Sequence, residues 1–141
     1  MTNPQPAPKF PHLLPVDAAI WAQHLATVAD DYDRFEYDIR VGEGRDPGPT
    51  FADNMRKMAL DLSRRRIDAI GYNTTGLDIF EVTHSAGFTA LGQLVAYPIL
   101  YRATYGGALP IRTNLIAGRI QTDIQPVLER LGIRFFTYPR P

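Results

Sequence analysis

"RRRIDAIGYNTTGLDIFEVTHS", residues 64 to 85, is the stretch on which the fold turns. Two apolar runs flank Asn73-Thr74-Thr75-Gly76, whose composition is that of a tight turn, so the stretch predicts a β-hairpin. In that register Tyr72 faces Leu77, Ile70 faces Ile79, Asp68 faces Glu81, and Arg66 faces Thr83. Asp68 and Arg66 then share one sheet face with Glu81 and Thr83. Directly opposed carboxylates lie about 5 Å apart and repel each other. A chain keeps such a pair if a cation bridges it, if one member holds a proton, or if water reaches it. Mg²⁺ or Mn²⁺, hard cations that take oxygen ligands, suit the first option. A register slip of one residue would send the two carboxylates to opposite faces, and Arg66 could instead pair with one of them.

The flanks supply the rest of a layered domain. Residues 16–31 predict a helix, with Ile20, Trp21, Leu25 and Val28 at helical spacing. "RFEYDIRV", residues 34–41, alternates strictly: Phe35, Tyr37, Ile39 and Val41 on one face, Arg34, Glu36, Asp38 and Arg40 on the other. A Gly- and Pro-rich loop leads to a second helix over 51–63, whose apolar stripe is Phe51, Met55, Met58 or Ala59, and Leu62. Residues 86–104 read as a long helix with a kink expected at Pro98, stopped by Gly106 and Gly107. A strand at 111–118, a short helix at 122–131 capped by Gly132, and a strand at 133–138 complete the chain. The order predicts an α/β (α+β) fold: a mixed β-sheet of about five strands flanked by helices.

Composition narrows the chemistry. The 141 residues predict a single domain over 16–141, preceded by a proline-rich extended arm over 1–15 with five prolines. Such an arm reads either as a disordered tail or as a segment that lies against a protein partner or a second copy of the chain. Formal net charge is zero, so any contact with nucleic acid needs a local basic patch. There is no cysteine, which removes thiol nucleophiles, thiolate zinc sites and disulfides. Only Lys9 and Lys57 are lysines, against 13 arginines. No signal peptide and no apolar run long enough for a membrane span are read, so an intracellular location, a virus particle included, is expected.

"RIDAIGY", "GLDIFEVT" and "ALGQLVAYPILY", in that order, resemble the PD-(D/E)XK nuclease-like superfamily, the restriction-endonuclease-like fold, in its RecB-type branch. The resemblance covers roughly residues 33–138. It implies an Asp on one strand at Asp68, the acidic residue of the next strand at Glu81, and the helix pair at Gln93 and Tyr97, which are four apart and so on one helix face. Family members cut DNA or RNA with Mg²⁺ held by the carboxylates, which lowers the pKa of an attacking water. A further acid often comes from the first helix, where Asp30 or Asp31 is the candidate.

The departure is Thr83, which stands where the family has lysine. Threonine donates a hydrogen bond but brings no charge. Lys57 and Arg66 are the candidate substitutes, although a planar guanidinium copies a point charge poorly. The resemblance with this gap implies a degenerate domain that serves as a structural or assembly module, for instance in the neck or connector of a bacteriophage particle, or that stays associated with nucleic acid. The alternative is an active Mg²⁺-dependent nuclease. Among the remaining residues, His84 faces away from Glu81 and reads as a helix-start or packing residue, or as a proton-transfer group. Arg64, Arg65 and Arg66 read as a solvated junction or as a phosphate contact, and Phe135, Phe136 and Tyr138 as core and sheet edge. His12 and His24 show no partner spacing.

Overall fold

The computed structural model describes residue 10 and residues 12–139. Most of the expected arm lies outside those residues. Its base does not: Phe10 is buried, with its ring 5.2 Å from Tyr37. The arm therefore joins the domain's own core before it can reach anything else.

The elements follow the order read from the sequence. Helix α1 spans Pro15–Val28 and runs into a 3₁₀ turn at Ala29–Asp31. Strand β1 is Arg34–Val41, helix α2 Asp53–Leu62, strand β2 Arg65–Asn73 and strand β3 Gly76–Ala86. Helix α3, Phe88–Tyr105, continues through Pro98. Strand β4 is Ile111–Ile120, and a 3₁₀ turn at Thr122–Ile124 precedes helix α4, Gln125–Arg130, and strand β5, Arg134–Thr137. Gly132, at φ 70°, closes α4 as expected.

The five strands lie in the order β1-β2-β3-β4-β5. The first three pair antiparallel, while β4 runs parallel to β3 and β5 parallel to β4. Parallel neighbours need a crossover, and α3 and α4 supply the two. Helix α1 covers one face, where the fully buried Trp21 packs on Phe80 and Phe35 at ring separations of 5.0 and 5.8 Å. On the other face Ala90 and Leu94 of α3 and Leu128 of α4 pack with Leu115 and Ala117, and Tyr97 packs with Ile67, Ile70 and Ile79.

Two sequence expectations change. The alternating residues of β1 do not share a face: Phe35 and Tyr37 join the α1 side, Ile39 and Val41 the α3 side. The break falls at Asp38, which has a left-handed φ of 55° and makes no ladder pair. Its register partner would be Asp68, and β2 changes face there too, with Ala69 on the α1 side and Ile67 on the α3 side. Alternation assumes an unbroken pleat, and one left-handed residue rotates everything beyond it. The stripe of α2 is the second change. Phe51, Met55, Met58 and Leu62 remain 45, 55, 65 and 56% exposed. The helix is tied to the domain by polar contacts, Arg40 with Asp61 and the Arg45 N–H with Ser63 Oγ, instead of by its apolar side.

Candidate active site at the parting of β2 and β3

The hairpin register is the predicted one through Ala69–Phe80. Beyond that pair β2 and β3 part, and the opening between them takes the carboxylates. Where a strand leaves its neighbour, backbone donors lose their ladder partners and need others. The Asp68 side chain fills that role, its Oδ2 accepting the Val82 N–H at 2.8 Å. Glu81 lies within hydrogen-bond reach of Asp68 and is itself only 7% exposed.

Burial pushes the pKa of both carboxyl groups up, and the charge of Asp68 raises Glu81 further than its partner. Burial and mutual repulsion thus favour a proton shared by the pair, one of the three arrangements that keep opposed carboxylates together. Glu81 Oε2 is buried without a hydrogen-bond partner among the described residues. An orphaned carboxylate oxygen beside a second carboxyl group fits a bridging divalent ion. Among the described residues no third His, Asp or Glu completes a metal cluster. Such an ion would keep several waters, as Mg²⁺ commonly does. A pocket of about 380 Å³ lined by Glu81, Thr83, Ser85, Gln93 and Gln121 provides room for them.

The other predicted residues divide. Thr83 lines that pocket, and its hydroxyl donates to the Ser85 carbonyl at 3.4 Å. Gln93 lines it too, and one turn on along α3 Tyr97 is buried, its hydroxyl pKa raised by burial and by the charges of Glu81 and Asp68. Arg66 is not there: it pairs with Asp38 at 3.6 Å. Its neighbour Arg65 lines a cleft with Val41 and Leu100 and not the Glu81 pocket. Lys57 lines a separate pocket on α2 with Asp46, Asp53 and Arg56.

Asp30 and Asp31 also fall elsewhere, at the hairpin tip, where the Asp31 carbonyl accepts from Asn73 Nδ2. The acid that α1 does bring near is Asp17. It accepts the His84 N–H at 2.9 Å, and its charge acts on both Asp68 and Glu81. Its place in the first turn of α1 was the available signal, since a first-turn acid is common there for reasons of the helix dipole alone. His84 presents its ring on the face away from Glu81, as expected, beside Val16, Ile20 and Arg119.

The histidines without partner spacing have partners through space. His12 Nε2 lies 3.0 Å from the Asp68 carbonyl, and His24 Nδ1 lies 2.7 Å from the Tyr138 hydroxyl. Burial holds His24 down at about 4, so it is neutral and part of the core. Asp78 is the acid that arginines do bridge. It is bound by Arg112 and Arg134, each at 2.9 Å, and by the Tyr32 hydroxyl at 2.6 Å, three residues before Glu81 on β3.

No family model matches the chain. Two solved structures are similar over 92% of it, each at 17% identity: a repair endonuclease from Pyrococcus abyssi, with a TM-score of 0.53, and EndoMS in its dsDNA complex, with a TM-score of 0.51. This chain has the restriction-endonuclease-like fold. The five-stranded mixed sheet and its helices are what the likeness rests on, and the parting of β2 and β3 is where the fold opens. The restriction-endonuclease-like chain spans about half the length of these structures, 48 and 47%. Among curated proteins it is similar to tubulinyl-Tyr carboxypeptidase 1 of Mus musculus, 32% identical over an alignment of 136 residues that covers 89% of this chain and 35% of that protein.

Proposed function

We propose that this chain is a degenerate nuclease-like module that associates with nucleic acid and retains a divalent-ion site at Asp68 and Glu81 without efficient cleavage. The observation that carries the reading is Thr83 in the Glu81 pocket, where a charged donor would stand in an active member of the fold. Thr83 donates one hydrogen bond and no charge. Losing a charged donor to the developing negative charge costs on the order of 3 kcal/mol, more than a hundredfold in rate. Asp68 and Glu81 would hold the ion, and Gln93 would orient a water. When bound, the ion supplies charge neutralisation at a phosphate.

The test is cleavage of plasmid, single-stranded DNA and RNA in Mg²⁺ and Mn²⁺ by the wild type, Glu81→Ala and Thr83→Lys. The reading expects little or no cutting by the wild type and a gain of cutting in Thr83→Lys. Efficient wild-type cutting that disappears in Glu81→Ala would overturn it in favour of an active metal-dependent nuclease, which the intact acidic pair favours as the second reading. A tyrosine-ended peptide in the same assay checks the activity named for the mouse relative. An assembly role, in a virus particle or as a homo-oligomer, would depend on residues 1–9, and their deletion with measurement of oligomeric state examines it.

A further inference from the structure

We propose that the cleft between the β1–α2 loop and the start of β2 seats the sugar-phosphate backbone of a nucleic acid. This rests on the reading of the chain as nucleic-acid-associated and names the surface that does the binding. The cleft has a volume of about 520 Å³ and is lined by Val41, Gly42, Glu43, Gly44, Arg45, Ser63, Arg65 and Leu100. Its two arginines stand apart from most of the others. Arg34, Arg40, Arg56, Arg64, Arg66, Arg112 and Arg134 each pair with a carboxylate. Arg45 and Arg65 are exposed and have no carboxylate partner among the described residues. Unneutralised guanidinium groups facing one concave surface are the usual phosphate contact.

The loop that carries Arg45 is held in shape. Gly44 adopts a φ of 76°, and a Cβ there would lie 2.0 Å from the Leu60 carbonyl oxygen, so no side chain fits. Arg64 Nε donates to the Gly42 carbonyl at 2.8 Å, tying the loop to the first residues of β2. Glu43 is the one acid on the cleft wall and weakens the binding.

The experiment is fluorescence anisotropy of a short labelled DNA duplex and of its single strand, over a range of salt concentrations. It uses the full chain, Arg45→Ala, Arg65→Ala, the double variant, Glu43→Gln, and Arg130→Ala on α4 as a control, each checked for an unchanged melting temperature. Binding by the wild type with at least tenfold weakening in the double variant is expected. The salt slope should fall by roughly 1.8 on duplex, about 0.9 for each phosphate that the variant no longer neutralises. Glu43→Gln should tighten binding and Arg130→Ala leave it unchanged. Wild-type binding that survives the double variant would overturn the cleft while leaving the nucleic-acid reading in place. No binding by the wild type to either probe would overturn that reading, and the cleft with it.

Discussion

Glu81 sits in the wall of a pocket with a carboxyl neighbour and with its proton held by burial, and that proton ties stability to pH. Its folded-state pKa lies above the ordinary value of 4.5, as does that of Asp68 above 3.8. Above the ordinary value the unfolded chain releases a proton that the folded chain keeps, so the contribution of this pair to the metal-free fold is greatest in acid and is lost as pH rises. Neutral His24 and ionised Asp78 set the limit on the acid side. Melting temperature measured from about pH 5 upward should fall in the wild type and fall much less in Glu81→Gln, which cannot ionise. At pH 8 that variant should be more stable than the wild type by on the order of 1–3 kcal/mol. Divalent ions replace the proton, so Mn²⁺ should flatten the wild-type slope. An unchanged slope in Glu81→Gln would place the titrating group elsewhere.

At the scale of elements, β1 and α2 mark where sequence pattern and structure diverge. The hairpin was legible because turn chemistry and alternating burial specify one register together, and the register brought Asp68 beside Glu81. Gln93 and Tyr97 were expected from the family resemblance alone, and Gln93 lines the Glu81 pocket. Asp38 was not legible, because its left-handed backbone belongs to a strand whose pattern is uninterrupted, and so Arg66 was expected beside the acidic pair when it pairs with Asp38. Asp17 was hidden among first-turn acids, and the His24–Tyr138 contact spans 114 residues that no local pattern connects. Helix α2 shows the opposite failure: its periodicity is helical, yet the stripe it forms meets no core. Met58→Gln there should change stability by less than about 0.5 kcal/mol, the surface range. A loss of about 2 kcal/mol or more in urea unfolding would mean that the stripe is buried in solution.

The whole molecule is a sheet closed over on both faces, with its acids and free arginines gathered where strands separate or loops rise. Among the described residues no helix is long and apolar enough to cross a membrane. The chain has no cysteine and three methionines, of which Met55 and Met58 lie on the exposed stripe of α2. The described interior thus contains no sulfur at all, and aliphatic and aromatic side chains fill most of it. Peroxide converts accessible thioethers to sulfoxides, a change that disrupts a protein when it occurs inside. Here it should add two oxygens on one surface helix, visible as a mass increase on the peptide containing residues 55 and 58, while the melting temperature stays put. Oxidative stress would roughen the outside of this molecule and leave its architecture intact.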